Sequence, residues 1–144
     1  MNKHCIINGP NLNLLGMRET HIYGKLTLSE IKDYTNKKCA GLDVKLDWFQ
    51  AQSEEQIINL IQKIDSENYK SLIINPAAYS HTSIAILDAL RIVKVPVVEV
   101  HLTNIFARET YRQEMLTAQA CSVIMSGLGK DSYYLAIVSQ ENKN

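Results

Sequence analysis

A chain of 144 residues has the length of one ordinary domain and leaves little room for a second, so a single domain over 1–144 is expected. Its residues are 46% hydrophobic, enough for a core, and its 15 basic and 15 acidic side chains cancel. That balance excludes a global attraction for nucleic acid or an anionic membrane, so any anion it binds is held by a few local groups.

The opening residues, with Lys3, His4 and Pro10, are too polar for a secretory leader, and no apolar run reaches membrane-spanning length. Cys5, Cys39 and Cys121 are widely spaced and form neither a metal-like pair nor a disulfide framework. A cytoplasmic protein is the expectation.

In chain order, Cys5-Ile6-Ile7 predicts a short buried strand that stops at Asn8-Gly9-Pro10. Residues 11–24 form the one long irregular stretch, a length that in compact domains points to a lid or binding loop. Thr27-Leu28-Ser29-Glu30 is a capping box, predicting a helix to about Ala40 with Gly41 as its stop. Val44-Lys45-Leu46-Asp47-Trp48-Phe49 alternates in polarity, which predicts an edge strand with one wet face. Ser53-Glu54-Glu55-Gln56 is a second capping box, opening a helix with Ile57, Leu60, Ile61 and Ile64 on its inner side.

Leu72-Ile73-Ile74 predicts another buried strand, broken by Asn75-Pro76. Thr82 or Ser83 caps a third helix, with Ile84, Leu87 and Leu90 turned inward. Residues 95–100 make a fourth strand containing Glu99. A loop and a short helix lead to a fifth strand at Ser122-Val123-Ile124-Met125, and residues 130–139 form the last helix. Strands alternating with helices imply an α/β fold, a parallel sheet of five strands covered on both faces.

Ligands of such sheets sit outside the carboxyl ends of the strands, and the unusual polar residues gather there. Asn8, Asn11, Asn13, Arg18 and Tyr23 follow the first strand. Asn75, Tyr79 and His81 follow the third. Glu99 and His101 end the fourth, followed by Thr103, Asn104, Arg108 and Arg112. Glu99 and His101 are two apart on a strand and share a face. A carboxylate inside a sheet needs a partner, and a paired imidazole is oriented as a general acid near neutral pH; the alternative is a structural pair at a strand end. Arg108 and Arg112 are spaced i, i+4, giving one helical face that either binds a carboxylate-bearing substrate or is a solvated basic surface. Tyr23 is singled out by its place in the loop with Arg18. Holding a phenol ionised near neutral pH takes about 4 kcal/mol, within reach of one or two nearby guanidinium groups.

Gly127-Leu128-Gly129-Lys130-Asp131-Ser132 lacks the third glycine of a dinucleotide fingerprint and follows the last strand, so it reads as a turn. Lys94 lies at the wrong strand end for an imine and Lys25 at a helix start reads as solvated. The four histidines have no metal spacing.

Taken together and in order, these segments resemble the type II 3-dehydroquinate dehydratase family. The resemblance is carried by Ile7-Asn8-Gly9-Pro10-Asn11-Leu12-Asn13, Leu15-Gly16-x-Arg18-Glu19 and Ile22-Tyr23-Gly24. It continues in Ile74-Asn75-Pro76-Ala77-Ala78-Tyr79-Ser80-His81-Thr82-Ser83 and Ala85-x-x-Asp88-Ala89, then Pro96-x-x-Glu99-Val100-His101-Leu102-Thr103-Asn104-Ile105 and Arg108-Glu109-x-x-Arg112. It implies a flavodoxin-like three-layer sandwich with strand order 2-1-3-4-5, and dehydration of 3-dehydroquinate to 3-dehydroshikimate without metal, cofactor or imine. By resemblance Tyr23 is the base, Arg18 from the same lid (about 12–24) stabilises transition-state charge, and Asn11 holds the enolate-like intermediate. His101 protonates the leaving hydroxyl, Glu99 orients it, and Arg108 keeps Tyr23 ionised. Asn75, His81 and Arg112, with the amides of Leu102 and Thr103, grip the substrate. Asp88 reaches a neighbouring subunit's site, which implies a homo-oligomer of twelve chains arranged as four trimers.

The chain departs from the family pattern at Ala51-Gln52 and Glu54-Glu55, where Ser-Asn and Glu-Gly are usual, and at Phe106, Thr103 and Ser132. None removes a group assigned to chemistry; assembly and loop rigidity are where these changes bear. Two other readings remain at this point: a non-catalytic flavodoxin-like binding module, and a lyase or isomerase acting on another cyclic hydroxy acid.

Overall fold

The computed structural model describes residues 1–17 and 19–142. Its centre is a five-stranded sheet of β1 (Asn2–Asn8), β2 (Val44–Gln50), β3 (Ser71–Asn75), β4 (Val97–His101) and β5 (Val123–Ser126). All pairings are parallel and the spatial order is β2-β1-β3-β4-β5, which places β2 at an edge as its alternation predicts.

The inner strands explain why the chain needs helices on both faces. In β1, Cys5 and Ile7 join Leu72, Ile74, Ile57, Ile61 and Leu90 in one cluster. Ile6 joins Ile73, Val98, Val100, Tyr133 and Ile137 in the other. Side chains alternate across a strand, so a continuous apolar run feeds both layers at once. Ile6, Ile7, Ile73 and Ile74 are wholly buried, each contributing about 1.5–3 kcal/mol relative to exposure.

Among the described residues the α-helices are α1 (Thr20–Tyr23), α2 (Leu28–Lys38), α3 (Glu54–Ile61), α4 (Ile84–Ile92) and α5 (Ser132–Glu141). Both capping boxes form. The Thr27 and Ser53 hydroxyls accept from the amides of Glu30 and Gln56, whose side chains reach back to the cap amides. Glu54 and Glu55 both fall in the first turn of α3, where negative charge meets the helix dipole favourably. At α4 the cap is Ser83, not Thr82, through its bond from the Ile86 amide. No described helix is long and apolar enough to cross a membrane.

Three sequence expectations are corrected. Ile84 is not turned inward: it is 62% exposed, and Ile86, Leu87, Ala89 and Leu90 form the buried side of α4. The fault lies in choosing a helical face from its first residue, since a one-residue shift turns the face by about 100°. The short helix before β5 is present only as 3-10 turns, the last at Thr117–Ala120. Arg108 has extended backbone between two 3-10 turns, Ile105–Ala107 and Thr110–Arg112, so Arg108 and Arg112 do not share an α-helical face. Residues 11–24 are also less irregular than expected, holding a 3-10 turn at Leu12–Leu14 as well as α1.

Candidate active site

Parallel pairing brings the carboxyl ends of β1, β3 and β4 to one edge, with Asn8 opposite Asn75 and Ile74 opposite Glu99. A pocket of about 130 Å³ opens there. Its walls come from the loop after β1, the turn after β3 and the segment after β4. Asn11, Tyr23, Asn75, His81, His101, Leu102, Thr103, Arg108 and Arg112 all line it. Two of the remaining expected residues lie elsewhere: Glu99 is beneath the wall, and Asp88 is exposed on α4, away from this pocket. Arg18 lies outside the described residues.

Glu99 is wholly buried, and its Oε2 is 2.8 Å from His101 Nε2. Its other oxygen accepts from the Thr117 hydroxyl, itself wholly buried. A buried carboxylate is costly unless both oxygens find donors, and here both do. With Nε2 engaged by Glu99, Nδ1 is the nitrogen left to His101 for a ligand.

The phenol of Tyr23, at the end of α1, lines the same pocket. Arg108 Nη1 donates to its oxygen at 2.7 Å, and the guanidinium carbon is 5.1 Å from the ring centre. The bond is charge-assisted on its donor side and fixes the phenol oxygen in the pocket. The Arg108 side chain is only 11% exposed, which preserves the interaction from full screening by solvent. Glu109, two residues beyond the first 3-10 turn, organises the second guanidinium: Arg112 Nε donates to its carboxylate at 2.9 Å. The hydrogen bond from its own amide, with Arg108 and Arg112 nearby, holds the Glu109 carboxyl below its ordinary value.

His81 donates from Nδ1 to the Glu114 carbonyl at 2.6 Å. Burial lowers its pKa, partly offset by that bond. The ring is therefore neutral near pH 7, with Nε2 an acceptor suited to a hydroxyl. Its ring centre is 6.2 Å from that of His101.

Asn75 is held from below. Tyr133 on α5 is wholly buried; its hydroxyl donates to Asn8 Oδ1 and accepts from Asn75 Nδ2 at 3.3 Å. Burial pushes the Tyr133 phenol up, as befits a neutral donor. Asn75 Oδ1 in turn accepts from the amide of Ala77, which sits at φ 54. Alanine in the left-handed region is strained, and such strain gathers at ligand sites. Asn11 has φ 68, and its amide donates to Gln52 Oε1 at 2.9 Å. The departure at Gln52 thus gives this turn a partner.

Sequence reasoning identified most of the lining and missed what lies behind it. Thr117, Tyr133 and Gln52 act through contacts spanning 18, 58 and 41 residues, respectively. Tyr133 had no distinguishing signal among seven tyrosines.

Known proteins share this arrangement of chain. The family model described as dehydroquinase class II matches residues 2–140. A 3-dehydroquinate dehydratase of Clostridium botulinum is 51% identical over 138 residues, covering 95% of this chain and 92% of that one. The crystal structure of a type II dehydroquinase from Butyrivibrio crossotus superposes with a TM-score of 0.95 at 35% identity, covering 98% of each chain. One from Propionibacterium acnes gives 0.94 at 34% identity, over 99% of this chain and 98% of that one.

Proposed function

The chain belongs to the class II dehydroquinase family, and we propose from that premise that it removes water from 3-dehydroquinate to give 3-dehydroshikimate by anti elimination, a step of the shikimate pathway. The Tyr23 phenolate takes the proton from the carbon beside the ketone, and the electron pair moves onto the ketone oxygen. The resulting enolate then collapses. Its electrons form the new carbon–carbon double bond while the hydroxyl on the neighbouring carbon leaves with a proton from His101 as water. Proton exchange with solvent restores the phenolate and the imidazolium. Charge that develops on oxygen is stabilised most by donors already in place, the role given to Asn11.

The observation that carries this reading is the pairing of two prepared groups on one pocket. Tyr23 receives a guanidinium donor at 2.7 Å, and His101 is held by a buried carboxylate at 2.8 Å. Arg112, Asn75, His81 and the amides of Leu102 and Thr103 are assigned to the substrate carboxylate and hydroxyls. Bidentate guanidinium binding suits a carboxylate. The role of Arg18 in stabilising transition-state charge rests on the resemblance alone, as does the closure of residues 12–24 as a lid over a single catalytic domain.

Assembly belongs to the same proposal: twelve chains as four trimers, with Asp88 contributing to a neighbour's site. It is supported by α4, where Ile84 (62% exposed) and Ile92 (72%) flank exposed Asp88 at helical spacing. An apolar stripe left to solvent marks a contact surface. The expected compartment is the cytoplasm.

The test is ultraviolet detection of the conjugated enone when protein and 3-dehydroquinate are mixed. Tyr23→Phe and His101→Ala should each lower kcat by about a hundredfold or more with the fold intact. Absence of turnover by the folded oligomer would end the dehydratase reading. Full turnover in either variant would remove that residue from the chemistry.

A further inference from the structure

The general acid of the proposed reaction rests on more than its carboxylate partner. Glu99 has two oxygens and is shielded from bulk solvent, being wholly buried in β4. A carboxylate bonded through one oxygen can turn about its last torsion and present either oxygen to the imidazole. One bonded through both, to donors on different elements, keeps a single plane.

Here the second donor comes from Thr117. It lies in the 3-10 turn Thr117–Ala120, in the connection between β4 and β5. Its side chain is wholly buried, and its hydroxyl bonds Glu99 Oε1 while His101 Nε2 is 2.8 Å from Oε2. The nearby Cys121 thiol is a poor substitute. It stands 4.0 Å from the same oxygen and 3.4 Å from the Thr117 carbonyl, its better acceptor. The turn is itself fixed, because the preceding Leu116 amide donates to the Ser80 carbonyl at 2.8 Å, within the turn that carries His81.

We propose that Thr117 is a positioning residue for the dehydration, its hydroxyl locking the plane of Glu99 and thereby aiming the His101 ring. The assignment rests on the reading of His101 as the acid. Thr117 touches neither the substrate pocket nor His101, so its loss acts on the chemical step and leaves substrate binding alone.

The experiment compares Thr117→Val, which keeps shape and removes the hydroxyl, with Thr117→Ser, which keeps the hydroxyl. Steady-state kinetics with 3-dehydroquinate should show kcat lowered about ten- to a hundredfold in Thr117→Val, KM within about twofold, and Thr117→Ser within about threefold of the parent. In a Glu99→Gln background the valine should cost less than about twofold more, because the two residues act as one unit. Should the valine variant fail to fold, Thr117→Cys, with its weak thiol donor, replaces it in the same comparison against serine. A folded Thr117→Val or Thr117→Cys with parental kcat would overturn the proposal, and so would an undiminished loss in the Glu99→Gln background. Full activity of His101→Ala is a separate result, which would instead remove the reading on which the proposal stands.

Discussion

Replacing Glu99 by glutamine tests the centre of the mechanism with little change of shape. At 2.8 Å and an effective dielectric of about 20, a carboxylate and an imidazolium attract by about 6 kcal/mol. The parent pair forfeits part of this to desolvation, and the amide recovers part as a neutral hydrogen bond. If half survives as the difference between the two proteins, about 3 kcal/mol of the pairing is lost, or roughly a hundredfold in kcat at 1.4 kcal/mol per tenfold. The amide oxygen can still accept from His101, so a neutral hydrogen bond to the ring survives while the charge does not. Kinetics with 3-dehydroquinate near pH 7, accompanied by circular dichroism, should therefore give a folded protein with low kcat and nearly normal KM. A folded Glu99→Gln variant with kcat within about threefold of the parent would refute the claim that buried charge prepares the acid.

Three other outcomes follow from the geometry. Tyr133→Phe deletes the hydroxyl shared by Asn8 and Asn75, so urea unfolding should show a loss of about 2 kcal/mol, with KM raised by the loosened Asn75; unchanged stability would show the amides satisfied without it. In Gly9→Ala the added carbon would stand 2.6 Å from the Pro76 carbonyl oxygen and 2.8 Å from its carbon. Both are backbone atoms that cannot turn aside, so a loss of about 1–3 kcal/mol is expected, and a parental Tm would contradict it. Finally, burial lowers the pKa of both His4 and His81. At these two positions the unfolded chain then binds more protons as pH falls below about 6.5, and their contribution to stability declines with it until the lower folded values are passed. Calorimetry should record a falling Tm from about pH 7.5 to about 5.5, and a flat or rising Tm would reverse the sign.

Much of this fold is written in local pattern. The capping boxes at Thr27 and Ser53, the doubly buried runs around Ile6 and Ile73 and the alternation of β2 each depend on neighbours within a few residues. Such spacing survives in one dimension, and so do the polar residues placed just after strands β1, β3 and β4. The Glu99–His101 pair was legible for the same reason, since two residues apart on a strand means one face.

The supporting contacts were not legible because they close loops whose length carries no local mark. Whether Thr117 meets Glu99, or Tyr133 meets Asn8 across 125 residues, depends on how the last helix and the final crossover pack onto the sheet. The face of α4 that left Ile84 outside was decided in the same way. Composition and periodicity determined the sheet, its helices and the edge where chemistry gathers. Only tertiary packing could choose which hydroxyl completes a buried carboxylate, because each buried polar atom must find a partner in space, and proximity in sequence does not supply it.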